Sequence, residues 1–440
     1  MAKWFVHKYP GRTIVGALLF KILLGTLLLH LPFCTTKTIS LIDLFFTSCS
    51  ATTVTGLLAV PLNSFTIWGQ LILLALIQIG GLGLITMLLF FMSMFVNMGL
   101  TSQFMASELF EVKAIRDIKQ LLKFTIKLTA LCETIGAFII FFSIYKLYPL
   151  KEALFKAIFQ SVSSFCNAGI TPFTQSMAEF TTNAPVLCTT ALLSFIGGFG
   201  FFVLYQLTQR FILKRKVRIS LHTKIVVWAP LIIIITGSVL FWILEHHNTL
   251  AQLSLPYQWL NAFFNTMCMR STGFLSVQFN NLQLASIFMM MIIGFIGSSP
   301  GSTGSGIKTT TFAIILATTK AIFSGREFVY IKRRKIKKIQ VYRSVAIVIV
   351  ALTWITITTF LLLIIEKNHP FLDVLFESVA AFSNLGITSG LTPTLTNVGK
   401  LLIAASEIAG RIGSLTLILA FAKTTGERDF LYPEERIMLG

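Results

Sequence analysis

The chain has 440 residues, of which 55% are hydrophobic and only 12% are charged, whereas roughly 25% are charged in a soluble domain. Several apolar runs exceed the ~20 residues that a helix needs to cross a bilayer, so the composition excludes a water-soluble globular protein. The 36 Lys and Arg against 17 Asp and Glu give a formal net charge of +19. Because the basic residues cluster between apolar runs, we interpret them as topology signals rather than as a nucleic-acid surface. The six cysteines show no metal-ligand or redox spacing, so neither a zinc site nor a disulfide framework is expected.

Eight long apolar runs predict eight membrane-spanning helices. They lie near residues 13–31, 67–98, 121–146, 185–213, 224–245, 283–325, 343–365 and 398–422. The first run is too long for a signal-peptide core and lacks a small-residue cleavage site, so we interpret it as a retained helix. Between the two runs of each successive pair lies a shorter, partly polar segment, which cannot cross alone and is predicted to be re-entrant. These segments are 41–56, 152–169, 257–273 and 371–386.

The four short segments resemble one another, which indicates internal repetition. Each ends in glycine, with phenylalanine ten residues earlier and a small polar residue eight residues earlier. The aligned residues are Gly56, Gly169, Gly273 and Gly386, preceded by Phe46, Phe159, Phe263 and Phe376 and by Ser48, Ser161, Asn265 and Ser378. The glycines recur at intervals of roughly 110 residues. Internal repetition of this kind is stronger evidence for the architecture than any single motif is.

The predicted fold is an all-α polytopic membrane protein, with four tandem repeats of span, re-entrant helix and span in pseudo-fourfold symmetry around one central pore. The expected repeats are residues 1–112, 113–219, 220–340 and 341–440. Lys and Arg concentrate in 99–120, 209–222 and 320–343, and Lys3, Lys8 and Arg12 precede the first run. By the positive-inside rule, both termini and the inter-repeat linkers are expected on the cytoplasmic side of the cell membrane. The re-entrant segments then enter from outside.

The chain after each re-entrant helix has the features of a cation filter. A helix entering from outside points its carboxy-terminal dipole, a partial negative charge, at the membrane centre. Glycine then allows positive φ angles that turn carbonyls toward an ion, and the stretches 53–56, 166–169, 270–273 and 383–386 contain no acidic residue. Carbonyl coordination favours a monovalent cation, K⁺ first and Na⁺ next. The predicted filter residues are Val54, Thr55, Gly56, Asn167, Ala168, Gly169, Ser271, Thr272, Gly273, Asn384, Leu385 and Gly386.

These residues resemble the Trk/Ktr/HKT superfamily of potassium transporters, over nearly the whole chain. The first filter, Thr53-Val54-Thr55-Gly56-Leu57, and the second, Asn167-Ala168-Gly169, are typical of that superfamily. The third, Arg270-Ser271-Thr272-Gly273-Phe274, and the fourth, Ser383-Asn384-Leu385-Gly386-Ile387, depart from it before the glycine. The chain starts directly with the first repeat and ends in Tyr432-Pro433-Glu434-Glu435. In both respects it is most similar to the Ktr-type membrane subunit.

The resemblance implies passive or gradient-driven K⁺ uptake without covalent chemistry, so the chain is not expected to be an enzyme. It implies no resident cofactor, with K⁺ bound at the filter residues as the transported ion and Na⁺ as a coupling or regulatory ion. It also implies a homodimer whose basic linkers and residues 432–440 dock on a cytosolic ring of nucleotide-binding regulatory subunits. Contact of the basic linkers with anionic membrane lipid is the alternative. A sodium-permeable or poorly selective transporter of the same fold is the rival function.

Residues 297–306 interrupt the sixth apolar run with small or helix-breaking residues. Gly301 and Gly306 have the spacing of a phosphate-binding P-loop, but Ile307 stands where the lysine belongs, so a P-loop membrane ATPase is only a distant alternative. Such a stretch cannot hold a spanning helix and must lie in a protein-lined cavity. The resemblance implies that it is an intramembrane gate below the filter. The gate residues are Gly297, Gly301, Gly304, Gly306, Lys308 and Arg411.

The second span of each repeat carries a glycine motif. The copies at 80–83 and 197–200 favour close helix packing, whereas those at 297–300 and 410–413 depart from that pattern. Arg411, in the last copy, either forms an ion pair with Glu407 one turn earlier or places a positive charge in the pore, and the resemblance favours the pore. Glu133, the one acidic residue of the third span, is assigned a hydrogen-bonded structural role.

Overall fold

The computed structural model describes residues 10–95 and 118–413, with side chains described over 15–82 and 120–413. Its α-helices are α1 (Pro10–Leu29), α2 (Leu41–Thr53), α3 (Ile67–Phe95), α4 (Ile118–Ile144), α5 (Leu150–Cys166), α6 (Ala184–Gly198), α7 (Phe201–Leu207), α8 (Leu221–Glu245), α9 (Leu255–Cys268), α10 (Leu284–Phe295), α11 (Thr309–Phe323), α12 (Lys338–Ile365), α13 (Phe371–Ser383) and α14 (Asn397–Ile412). A hairpin of β1 (Tyr330–Ile331) and β2 (Arg334–Lys335) joins α11 to α12. The predictions placed on Lys3, Lys8, most of 99–120 and 432–440 lie outside these described residues.

Each predicted apolar run contains described helix. Within the part of the chain whose side chains are described, the helices α4, α8 and α12 are long and apolar enough to cross a membrane unaided, and the pair α6 and α7, bent by 97°, would make a fourth span. Helices α10 and α11 have 12 and 15 residues, and each is too short because residues 296–308 separate them. The break that the glycine-rich composition predicts in the sixth run is therefore present.

Four short helices, α2, α5, α9 and α13, occupy the segments predicted to be re-entrant. Their starts carry ordinary helix signals: Ser40 accepts a hydrogen bond from the N–H of Asp43 at the start of α2, and Pro149 and Pro370 precede α5 and α13. A serine oxygen satisfies an unpaired N–H, and proline sets the φ of the residue before the helix. Each short helix is buried over its carboxy-terminal half.

The short helices bury aromatic side chains, but the third helix is offset by one residue from the predicted alignment. Phe46, Phe159 and Phe376 are at most 1% exposed, as their shared position predicts. Phe263, the residue aligned with them, is 38% exposed, and Phe264 is fully buried instead. The predicted equivalence of Phe263 is therefore wrong, because the buried phenylalanine of α9 lies one residue closer to its glycine than in the other short helices.

The small polar position shows the same offset. The hydroxyls of Ser48 and Ser161 each donate to a carbonyl of the preceding long helix at 2.7 Å, so they tie short helix to long helix. In α9 the residue that meets the preceding long helix is Thr266, whose methyl group would lie 2.5 Å from a Cβ atom on Gly237. The predicted placement of Asn265 at this position is wrong for the same reason.

Glycines of the second spans allow the long helices to touch the ends of the short ones. A Cβ atom on Gly80, Gly197 or Gly410 would lie 2.1, 1.9 or 1.8 Å from a carbonyl oxygen in the last turn of a short helix. No larger residue fits there without moving backbone. In the third copy this contact belongs to Gly294, whose Cβ would lie 3.4 Å from the corresponding carbonyl, and not to Gly297 as the alignment predicts.

The second copy of the glycine motif also breaks its helix, which the packing interpretation did not predict. Gly197 packs as expected, but Gly200 has a φ of 95° between α6 and α7. The cause lies in residues 296–308: the N–H of Phe201 donates to the Gly301 carbonyl at 2.9 Å. A Cβ atom on Gly200 would lie 2.7 Å from the Pro300 carbonyl, so the docked loop leaves room for glycine alone.

A buried ion pair joins the first short helix to the last long helix. Lys400 Nζ lies 2.6 Å from Asp43 Oδ1, with the two side chains 10% and 17% exposed. Further along the same interface, the Cys49 thiol donates to the Ala404 carbonyl at 3.6 Å. Helix α14 therefore packs on α2, and the two ends of the described chain are in direct contact.

Candidate functional site

The four glycine segments, 53–56, 166–169, 270–273 and 383–386, follow the short helices with positive φ angles. Val54, Asn167 and Asn384 end α2, α5 and α13 in the left-handed conformation, with φ of 58°, 60° and 50°. The φ angles are 103° at Gly56, 69° at Gly169, 81° at Gly273 and 80° at Gly386. A β-branched residue with positive φ is rare because its side chain clashes with the backbone, so neighbouring contacts must hold Val54 in place.

The four glycines lie together, each beside a carbonyl of the next segment. A Cβ atom added to Gly56 would lie 2.6 Å from the carbonyl oxygen of Ala168. The corresponding distances are 2.5 Å from Gly169 to the Thr272 oxygen, 2.2 Å from Gly273 to the Leu385 oxygen and 2.4 Å from Gly386 to the Thr55 oxygen. The contacts run from the first segment to the second, third and fourth and back to the first. The glycines therefore form a closed ring, which we call the glycine ring. Any side chain at these positions would displace a backbone carbonyl.

The third segment takes a different backbone path. Met269, which follows α9, is right-handed with a φ of −59°, and Ser271 has a φ of 149°. This path accompanies an earlier helix end: α9 ends at Cys268, five residues before Gly273, whereas the other short helices end three residues before their glycines. Arg270 is 6% exposed, and its Nε has no hydrogen-bond partner among the described residues. The departure of this segment in sequence is thus accompanied by a departure in geometry.

Three polar side chains of the short helices hold the chain that follows the glycines, and we call them the clasp residues. Gln160 accepts from the Thr171 hydroxyl at 2.8 Å, Asn265 accepts from the Ser276 N–H at 3.0 Å, and Glu377 accepts from the Thr388 hydroxyl at 2.8 Å, the Ser389 N–H at 3.2 Å and the Thr392 hydroxyl. Given the offset of α9, Asn265 stands at the helix position of Gln160 and Glu377. The sequence analysis did not single out Gln160 or Glu377 and named Asn265 only for another position, although a polar residue shortly before the repeated glycine was a readable signal.

Residues 296–308, which we call the intramembrane loop, are fastened to the second and third glycine segments. The Thr303 hydroxyl donates to the Phe165 carbonyl at 3.1 Å and lies 2.8 Å from the amide of Asn167. The Ser271 hydroxyl accepts from the N–H of Ser305 at 3.2 Å. The loop therefore lies where the short helices end.

The intramembrane loop also bonds to the break between α6 and α7. The N–H groups of Ser299 and Thr303 donate to the carbonyls of Gly198 and Gly197, at 3.2 and 3.1 Å. Both donors belong to fully buried residues. Any movement of the loop must replace these hydrogen bonds, since an unpaired buried donor costs about 1–3 kcal/mol.

Arg411 joins the intramembrane loop to α3. Its guanidinium donates to the Thr303 carbonyl, to the Ser305 hydroxyl at 3.1 Å, and to the carbonyls of Gly80 and Gly81 at 2.7 and 3.3 Å. The side chain is 6% exposed, so these bonds form in a protein interior of low dielectric, where charge-assisted hydrogen bonds are strong. The predicted gate arginine therefore contacts the predicted gate loop directly.

Glu407 does not pair with Arg411 in this structure. It is fully buried, and neither carboxylate oxygen has a hydrogen-bond partner among the described residues. The ion-pair interpretation of these two residues is wrong for this conformation, because backbone carbonyls hold the guanidinium instead. Glu133, by contrast, accepts from Gln78 Nε2 at 3.2 Å, which is the hydrogen-bonded role predicted for it.

The arrangement is suited to binding a cation through dipoles. Carbonyls of the four segments meet at the glycine ring, and four helix carboxy termini, each with a partial negative charge, end beside it. The segments themselves contain no carboxylate. Their chemistry is therefore that of oriented backbone oxygens, the groups that replace an ion's hydration shell in a carbonyl filter.

Comparison with known proteins gives matches over nearly the whole chain. Residues 14–431 match the family model described as TrkH, cation transport protein. The chain is 34% identical to Ktr system potassium uptake protein B of Bacillus subtilis, over 100% of this chain and 98% of the relative. It is 30% identical to the potassium/sodium uptake protein NtpJ of Enterococcus hirae, over 98% of this chain and 97% of the relative.

The fold is similar to a solved structure. The crystal structure of the potassium transporter TrkH from Vibrio parahaemolyticus superposes with a TM-score of 0.72, covering 94% of this chain and 85% of that chain. The two sequences are 18% identical in this comparison. The shared fold therefore persists although most residues differ.

Replacing Glu377 by Ala should destabilise the protein strongly, because it leaves buried donors of the following chain without an acceptor, at a cost of about 2–3 kcal/mol. The measurement is the thermal unfolding temperature of the detergent-solubilised protein. Glu152→Ala is the control, since Glu152 is 49% exposed in a surface pair with Lys156 and such pairs contribute about 1 kcal/mol or less. Equal shifts for the two variants would contradict the clasp assignment.

Proposed function

The chain belongs to the TrkH family of cation transport proteins, and we propose that it takes up potassium ions across the cytoplasmic membrane. The observation that carries this proposal is the glycine ring, in which each glycine is backed by a carbonyl of the neighbouring segment. The ring is the selectivity filter of a pore built by the repeats 1–112, 113–219, 220–340 and 341–440. The short helices α2, α5, α9 and α13 are its pore helices.

Preference for a monovalent cation follows from the groups at the ring. Backbone oxygens without a carboxylate bind a weakly hydrated ion better than a divalent one, and the helix dipoles favour positive charge at the same place. The clasp residues fix the chain on the far side of each of three glycines, so the carbonyls keep their spacing. The name of the Bacillus subtilis relative as a potassium uptake protein supports K⁺ as the ion.

A sodium-permeable version of the same pore is the second candidate. The Enterococcus hirae relative is named for both potassium and sodium, and the path of the third segment with buried Arg270 makes the ring asymmetric. An ATPase has no such support, because the amino group of Lys308 donates to the Gly304 carbonyl of its own loop at 2.8 Å.

The intramembrane loop is the gate of this pore, and Arg411 holds it in place. The loop bonds to the second and third filter segments, to the α6–α7 break and to the guanidinium. A positive charge at this point also opposes a passing cation, more strongly than it would in water. Opening therefore requires the loop to leave Arg411.

The selectivity of the filter is tested in liposomes. The wild-type protein should take up K⁺ and Rb⁺ faster than Na⁺ and Li⁺, and Gly56→Ser should lower the K⁺/Na⁺ uptake ratio roughly tenfold, which corresponds to ~1.4 kcal/mol, because a side chain there displaces the Ala168 carbonyl. Gly390→Ser is the control, since Gly390 has a φ of 95° but no atom within 4 Å of its Cβ position. Equal wild-type rates for K⁺ and Na⁺ would favour the second candidate. Unchanged ratios in Ser variants of all four glycines would refute the filter.

Removing the guanidinium should open the gate. Arg411→Ala should raise K⁺ uptake several-fold. It removes a positive charge that opposes cations in a surrounding of low dielectric, and it removes four hydrogen bonds that hold the loop and α3. Uptake into liposomes by equal amounts of folded protein is the measurement. Arg215→Ala, at an exposed arginine, should leave uptake unchanged. A folded Arg411→Ala protein with wild-type or slower uptake would contradict the gate.

The remaining proposal concerns partners: a homodimer that docks on a cytosolic ring of nucleotide-binding regulatory subunits. The name of the Bacillus subtilis relative as a protein B of a Ktr system supports a multicomponent assembly. The basic hairpin offers a docking surface, since Lys332 and Arg333 form its turn with φ of 46° and 62° and Arg334 and Lys335 follow, exposed. Changing these four residues to Ser should abolish co-purification of the ring and nucleotide-dependent uptake. Loss of binding to anionic lipid alone would favour the lipid as partner, and a monomer whose uptake ignores the ring would refute the assembly.

A further inference from the structure

Glu407 and Arg411 lie one turn apart on the buried face of α14, but they have different surroundings. Residues four apart on a helix have Cβ atoms ~5–6 Å apart, so long side chains at these positions can meet by rotation about their own bonds. The guanidinium of Arg411 is turned toward the intramembrane loop and α3. The carboxylate of Glu407 has no hydrogen-bond partner among the described residues.

Arg411 depends on the intramembrane loop for half of its acceptors. The Thr303 carbonyl and the Ser305 hydroxyl belong to the loop, and the other two acceptors belong to α3. The guanidinium Nε already lacks a partner in the described part of the chain. When the loop moves away, a buried cation loses acceptors, which is costly unless another group replaces them.

Glu407 has the chemistry and the position to replace them. A carboxylate accepts two parallel hydrogen bonds from a guanidinium, and Glu407 is on the same helix as Arg411. Among the carboxylates of helices that pack on α14, Glu377 already accepts hydrogen bonds and Asp43 already pairs with Lys400. A buried carboxyl group without a hydrogen-bond partner destabilises the state that contains it. Glu407 therefore disfavours the arrangement in which the loop holds Arg411 and favours one in which the loop has left.

We infer that Arg411 exchanges two sets of acceptors during gating: the intramembrane loop when the pore is closed, and Glu407 when the loop has moved. Glu407 is then a positioning residue that acts through Arg411 without touching the ion. This inference rests on the proposed gate function and names the group that receives the guanidinium in the open state.

The uptake test compares Glu407→Gln in two backgrounds, with Arg411 present and with Arg411→Ala. The substitution keeps the shape of the side chain and removes its charge. With Arg411 present we expect K⁺ uptake to fall about fivefold or more, the usual range for coupled sites; with Arg411→Ala we expect no effect of the second substitution. Glu133→Gln, which removes a carboxylate from another span, should leave uptake unchanged in both backgrounds.

The outcomes separate this inference from the gate proposal. If Glu407→Gln has the same effect in both backgrounds, or none in either, Glu407 does not act through Arg411 and the inference is overturned. If Arg411→Ala fails to raise uptake, the gate proposal fails instead.

A structural measurement tests the same exchange without transport. A Cβ atom on Gly304 would lie 2.3 Å from the hydroxyl oxygen of Ser271 in the third glycine segment, so Gly304→Ala should displace the loop from its buried position. In an electron cryo-microscopy structure of that variant we expect a guanidinium nitrogen of Arg411 within about 4 Å of a Glu407 oxygen, the distance of an ion pair. Gly16→Ala, at a glycine of α1 with no atom within 4 Å of the added Cβ, should keep Arg411 on the loop. A guanidinium that stays on the Gly80 and Gly81 carbonyls while the loop is displaced would overturn the inference.

Discussion

Non-helical backbone at membrane depth must find its hydrogen-bond partners inside the protein, because lipid supplies none. Two stretches of this chain face that constraint: the glycine segments and the intramembrane loop. Side chains on neighbouring helices meet it, namely the clasp residues beyond the glycines and Arg411 beside the loop. Both stretches are also tied to each other through Ser271 and Thr303. A movement of one stretch therefore alters the hydrogen bonds of the other.

The positions of the helices could be predicted because they depend on local signals. Long apolar runs fix the spans, and the repeated phenylalanine, polar and glycine positions locate three of the four short helices. The remaining short helix, α9, was misaligned by one residue because an alignment on glycine assumes an equal number of residues between the buried phenylalanine and the glycine. No local signal in the sequence reveals this shift of one residue. It is seen only in the structure, where Phe264 is buried in place of Phe263.

The contacts of the site were less predictable because they join distant parts of the chain. The spacing of four residues on a helix predicts an ion pair between Glu407 and Arg411. The acceptors of Arg411 are instead on the loop and on α3, more than 100 residues away in sequence. The bend at Gly200 has the same origin, since a loop from elsewhere in the chain docks there. The buried Arg411 and the half-buried Lys308 are tolerated beside the glycine ring for a related reason, since carbonyls accept their hydrogen bonds. In the proposed pore, the balance between such charges and the helix dipoles would set how long an ion stays, because conduction needs binding that is neither too weak nor too strong.

The ion pair between Asp43 and Lys400 has a consequence for biosynthesis. A ring of four separate subunits can close by symmetry, but the four short helices here belong to one chain, so one junction must form without a covalent link between its sides. Asp43 leaves the ribosome 357 residues before Lys400. Until Lys400 follows, α14 cannot pack on α2 and the carboxylate of Asp43 lacks this partner. The first short helix therefore remains in an unfinished environment while the helices between them are made, and α14 completes its packing.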